Sequence, residues 1–149
     1  MYFVDREQIE KKLRFMETLH TVIPQLEVND DVKRKDLLAL ERTVSLYIEC
    51  VIDVGNSMID GFIMRDPGSY EDIIDILEDE KVIDSVYAQQ LKKLIQLRKK
   101  LVQEYDEIDH AKMFKDLKEA QHALSQFVHF IRTYLEQELG PVSAFLPKR

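Results

Sequence analysis

From Val32 to Met64 the chain holds no proline, and apolar residues recur at helical spacing throughout: Leu37, Leu40, Val44, Tyr47, Val51, Val54, Met58 and Phe62. No part of this stretch, or of any other, sustains an alternation of period two with turn residues on both sides. The segment therefore reads as one helix, long for a globular protein, in which Gly55 or Gly61 is expected to mark a bend or a close contact.

The remaining segments follow the same period. Asp5 and Gln8 form a capping box ahead of Ile9, Leu13, Met16, His20 and Ile23, and Pro24 with the acidic turn Asn29-Asp30-Asp31 closes that first helix. Arg65-Asp66-Pro67-Gly68 is a turn, and Ser69 with Asp72 caps a short helix through about Glu80. A fourth helix starts at Asp84 or Ser85, and a fifth runs from Asp109 to Leu139, with Gly140-Pro141 as its stop. Four long helices and one short one, joined by brief connections, predict an all-α antiparallel helical bundle. Residues 1–140 form one domain in this reading, and 141–149 a loose C-terminal tail. Four Gly and four Pro in 149 residues are too few for a turn-rich β-sandwich. A net charge of −7 argues against a surface that is wholly a nucleic-acid footprint, though not against a local basic patch. The single cysteine, Cys50, excludes an internal disulfide and fits a reducing compartment. With no charged-then-apolar leader and no window long enough to span a bilayer, a cytoplasmic protein away from membranes is expected.

Two residues or groups sit in unexpected places on these helices. At about 100° per residue, Leu91, Leu94, Leu101, Val102 and Tyr105 all project within about 60° of Arg98, so a guanidinium lies inside an apolar stripe. It should meet a carboxylate or line a cleft, because burying it unpaired costs several kcal/mol. On the second helix Glu49, Asp53, Asn56 and Asp60 share one face amid strongly apolar neighbours. That seam is either a solvated edge past which Arg98 snorkels, or a cleft in which Asp53 and Asn56 orient Arg98. Periodicity leaves both open.

Metal and nucleophile chemistry find weaker footing. Glu17/His20 and Glu119/His122 are Glu-x-x-His pairs of the kind that hold di-metal centres in helical bundles. His122, however, points nearly opposite the apolar face of its helix, formed by Phe114, Leu117, Leu124, Phe127, Val128, Ile131 and Leu135. Both pairs would have to look inward, so no metal is expected. His129 reads as a surface or interface residue, His110 as a loop residue before the fifth helix, and Cys50 as a small core residue. The glycines are isolated and form no phosphate loop.

The run Arg98-Lys-Lys-Leu-Val-Gln103-Glu-Tyr105 resembles the Arg-x4-His-x-Tyr motif of the HepT-like family, within the HEPN superfamily. Met-Tyr-Phe-Val-Asp-Arg-Glu at the start, residues 48–56 and residues 101–109 look like the same family, and the likeness covers roughly residues 1 to 140. The resemblance implies a five-helix domain that forms a homodimer, with the motifs of both protomers lining one positively charged cleft. Active members are endoribonucleases that need no metal or cofactor, toxins paired with a small nucleotidyltransferase antitoxin that can attach AMP to the motif tyrosine. Carried over, Arg98 is the motif arginine, Tyr105 the AMP acceptor candidate, and Gln103 stands at the position of the catalytic histidine. Asp53 and Asn56 become candidate supporting residues of the cleft, and Lys92, Lys93, Lys99 and Lys100 a candidate basic rim.

The glutamine matters chemically. Metal-free RNA cleavage needs a base for the 2′-OH and positive charge on the developing phosphorane. Arginine meets the second need and histidine the first. A glutamine amide does not titrate near neutral pH, and loss of a general base typically costs about 10²–10⁴-fold. The expected function is thus a degenerate HepT-like protein that binds RNA, a nucleotide or a protein partner through the cleft without efficient cleavage. The alternatives are an endoribonuclease toxin that draws a base from Glu104 or from the partner protomer, and a structural helical adaptor.

Overall fold

Asp5 caps the first helix as its spacing predicts: its carboxylate accepts a hydrogen bond from the Gln8 backbone N–H at 3.1 Å. The structure, a computed structural model, describes residues 3–141, so the tail expected from residue 142 onward lies outside the described residues. Helix α1 (Arg6–His20) buries Ile9, Leu13, Met16 and Leu19 along one stripe. It stops earlier than the sequence pattern suggested. Ile23 belongs to a 3-10 turn, Ile23–Gln25, because Pro24 has no N–H for the carbonyl of His20 and its ring would strike that carbonyl.

Helix α2 (Arg34–Gly61) is the long segment, and it packs against each of the other four helices. Its C-terminal half is buried on most of its circumference, including Ile48, Val51, Ile52, Val54, Met58 and Ile59. Of the two glycines, Gly55 is where α3 (Tyr70–Asp79) comes close. A Cβ there would collide with Cγ2 of Ile73, a methyl on a β-branched side chain that has little χ1 freedom in a helix.

The turn into α3 is fixed by polar contacts. Ser69 Oγ accepts from the Asp72 N–H at 3.1 Å, while the Asp72 carboxylate takes Arg65 Nη1 at 2.8 Å and the Gly68 N–H at 2.9 Å. The Arg65 guanidinium, aided by that N–H, holds the Asp72 carboxyl down at about 2. These contacts set the start of α3, and with it Tyr70, in one place.

Helices α4 (Ser85–Gln103) and α5 (His110–Leu139) complete an all-α antiparallel bundle of four long helices and one short one, with no strand among the described residues. Asp109 caps α5 by accepting from the Lys112 N–H at 3.1 Å. His110 is the first residue of α5, not a loop residue, and its Nε2 lies 2.8 Å from Glu41 Oε2 on α2. Because α4 ends at Gln103, Tyr105 falls in the turn between α4 and α5 instead of extending the helical stripe. Arg132 ties α5 to α1 through 2.7 Å contacts to both Glu10 and Glu17. Among the described residues no helix is long and apolar enough to cross a membrane.

Candidate functional site

The C-terminal half of α4 runs past the start of α3 without closing on it, and a groove of about 460 Å³ is left between them. Arg98 and Gln103 line it from α4, Asn56 from α2, and Tyr70 from α3, over an apolar floor that includes Ile73 and Ile95. The Arg98 side chain is 30% exposed. Its Nε donates to Glu49 Oε1 at 2.9 Å, and its guanidinium carbon stands 4.5 Å from the centre of the Tyr70 ring. Glu49 and Tyr70 thus hold the guanidinium from two directions, a hydrogen bond in one and a cation–π contact in the other.

Of the residues expected around Arg98, the structure brings some together and separates others. Asn56 shares the groove. Asp53 does not reach Arg98; its carboxylate is 3.5 Å from Lys12 Nζ, because α1 packs along that side of α2. The partner of Arg98 is Glu49, one turn earlier on the same polar seam. Tyr70 carried no mark in the sequence: three and four residues before Ile73 and Ile74, it looks like one more member of an apolar stripe. Gln103 is exposed at the groove, and Tyr105, 67% exposed, follows in the turn.

The expected basic rim is thinner than four lysines. Lys92 is held by Asp75 at 2.9 Å, Lys93 bridges Asp116 and Glu119, and Lys100 pairs with Glu104 at 3.6 Å. Lys99 is the member that lines the groove. The two Glu-x-x-His pairs are bonded elsewhere. Glu17 binds Arg132, His20 Nδ1 lies 2.6 Å from the Tyr47 hydroxyl, Glu119 meets Lys93 at 3.2 Å, and exposed His122 lies 3.3 Å from the Tyr87 hydroxyl. Among the described residues, no group of three or more His, Cys, Asp or Glu side chains is placed to hold a metal ion. Cys50 is buried, and burial pushes its thiol up to about 11, which makes it a poor nucleophile.

Comparison with known proteins gives the following. A family model described as ribonuclease HepT-like matches residues 9–131. The YutE protein of Bacillus subtilis, provisionally named an RNase, is 53% identical over 146 residues, which is 97% of this chain and 99% of that protein. A solved structure of YutE from Bacillus subtilis, described as a cytosolic protein of unknown function, superposes with a TM-score of 0.90 at 52% identity, covering 97% of this chain and 100% of the other. A tri-AMPylated HEPN toxin of Shewanella oneidensis, solved in complex with an MNT antitoxin, has the same fold at a TM-score of 0.74 and 19% identity, over 84% of this chain and 96% of that one.

Proposed function

The chain belongs to the ribonuclease HepT-like family, and from that premise we propose that it binds RNA or a nucleotide through the Arg98 groove without cutting it efficiently. The observation that carries this is that Arg98 and Gln103, both from α4, line one groove. The guanidinium stays charged and offers a fork of donors that suits phosphate oxygens. The Gln103 amide in the same groove can hydrogen-bond a ribose or base edge but takes no proton from a 2′-OH near neutral pH. The site keeps its grip on phosphate and lacks its base.

The family resemblance extends the proposal to a homodimer in which two such grooves face one cleft. Val102 and Tyr105, 54% and 67% exposed beside the groove, supply apolar surface for that contact or for a partner. The HEPN toxin of Shewanella oneidensis carries AMP and is held by an MNT antitoxin. An equivalent nucleotidyltransferase partner and AMP attachment at Tyr105, whose side chain is open to solvent, are part of the same proposal, as is action in the cytoplasm. One observation favours the nuclease as second reading: the 53% identical YutE is itself provisionally named an RNase.

Titration of labelled single-stranded RNA in EDTA, with binding and cleavage followed together, decides between them. The expected result is binding that weakens as salt rises, falls roughly tenfold or more in Arg98→Ala, and is accompanied by no cleavage. Cleavage by the natural chain that vanishes in Arg98→Ala establishes the nuclease. Binding indifferent to Arg98→Ala removes the groove from the function.

A further inference from the structure

We propose that Tyr70 is a base-stacking platform, and that through it the groove prefers purine over pyrimidine nucleotides in single-stranded RNA. The inference rests on the reading that this groove takes RNA, and it names the part of the ligand that the groove reads.

The ring is placed for that task. Tyr70 opens α3 but is not drawn into the core with Ile73 and Ile74 below it; the residue remains 46% exposed while they are buried. Its position is fixed by the Ser69 cap and by Asp72, which binds Arg65 and the Gly68 N–H at once. With its backbone held in this way and Arg98 against one face, the ring loses little freedom when a ligand settles on it. The groove it faces, about 460 Å³, lies within the range of about 300–1,000 Å³ usual for sites that take a small ligand or one unit of a polymer.

The surroundings divide into the parts of a nucleotide. Arg98, 4.5 Å from the ring centre, presents its charge to a phosphate beside the stacked base. Ile73 and Ile95 form an apolar floor, and the amides of Asn56 and Gln103 each supply a donor and an acceptor for a base edge. The contact with Arg98 takes one face of the ring, and the residue's remaining exposure is surface that holding the cation does not use. Unstacked bases use such surface, because single-stranded RNA is recognised largely by stacking on aromatic and guanidinium planes. Stacking on an aromatic residue strengthens binding roughly 5- to 150-fold per base, and a purine offers the larger face.

Binding by the full chain is measured for short oligoadenylate, oligocytidylate and an abasic oligomer of equal length. The natural protein is compared with Tyr70→Phe, Tyr70→Leu and Arg98→Ala, each shown to be folded by circular dichroism. The expected order is oligoadenylate above oligocytidylate above abasic. Tyr70→Phe should keep that order within about threefold, since the ring is retained. Tyr70→Leu should lose at least fivefold more on oligoadenylate than on the abasic oligomer, since the lost contact with Arg98 weakens every oligomer alike while the lost stacking weakens only those with bases. A Tyr70→Leu protein that weakens all three oligomers equally overturns the platform and leaves Tyr70 with the positioning of Arg98 alone. A Tyr70→Leu protein that binds oligoadenylate as before, while Arg98→Ala does not, overturns the platform and leaves the RNA reading standing. Oligomer binding that ignores Arg98→Ala, or no binding by the natural protein, overturns the RNA reading itself.

Discussion

Glu49 Oε1 lies 2.9 Å from Arg98 Nε, so the guanidinium of the groove is already engaged by a carboxylate before any ligand arrives. A phosphate must share the guanidinium with that carboxylate, against the repulsion of like charges. Glu49→Gln retains a hydrogen-bond acceptor and removes the charge. RNA affinity should rise about two- to tenfold at low salt and the salt dependence should steepen. Thermal stability should move by less than about 1 kcal/mol, as exposed ion pairs are weak. Weaker RNA binding in Glu49→Gln would show that the carboxylate aims the arginine more than it competes for it.

Gln103→His should return a titratable group to the groove wall. In EDTA, cleavage of single-stranded RNA is expected to increase by about 10²–10⁴-fold over the natural chain, with a pH profile that rises through the ordinary histidine range. The gain should vanish when Arg98→Ala is added. A histidine at this place that leaves RNA intact means the groove lacks some other part of a nuclease site.

Gly55→Ala tests the approach of α3 to α2. Alanine is the better helix former by about 1 kcal/mol, yet its Cβ meets Ile73 Cγ2, and overpacking of this kind costs about 1–3 kcal/mol. Urea denaturation should show a net loss of stability. The double variant with Ile73→Ala should be more stable than the sum of the two single losses, since each change makes room for the other.

His20 gives the fold a pH dependence of its own. Burial lowers its imidazole below the ordinary value of 6.5, Nδ1 contacts the Tyr47 hydroxyl at 2.6 Å, and Nε2 is buried with no partner among the described residues. The unfolded chain therefore binds a proton more readily than the folded one, and the stability due to neutral His20 is full above about pH 6.5 and is lost as pH falls below it. Unfolding free energy measured from pH 7.5 down to 5.5 should decline more steeply for the natural chain than for a His20→Phe, Tyr47→Phe double variant. Equal slopes would assign the dependence to other groups.

Helix starts were legible because a cap is a local event: Asp5, Ser69 and Asp109 each bind an N–H three residues on, a spacing visible in the chain. Helix ends were less so. The apolar pattern runs through Ile23 and Tyr105, yet α1 stops at His20 and α4 at Gln103, where chain geometry overrides the pattern. The candidate site was legible to the extent that Arg98 stood out of place in an apolar stripe and lines the groove, with Gln103 of the motif beside the same groove. Which carboxylate meets Arg98 was not. Glu49, Asp53 and Asn56 lie on one face but are spread over roughly 10 Å of helix. The rung opposite Arg98 depends on how α1, α3 and α4 seat on α2, and Lys12 claims Asp53 only because α1 lies on that side. Tyr70 was invisible for the same reason: its exposure comes from the groove, not from its neighbours in sequence.

The packing of α2 against all four other helices has a consequence for how the chain can be divided. Sequence neighbours α1 and α2, and likewise α4 and α5, pack as hairpins, so much of the fold is assembled from short loop closures that favour rapid folding. Yet a break between α2 and α3 leaves α3, α4 and α5 without the helix that covers them, and leaves α2 with most of its buried surface wet. Two such fragments would have to fold by finding each other, and mixing them would restore structure at a rate set by concentration. The bundle is therefore expected to unfold as one cooperative unit, its halves complementary pieces and not small domains.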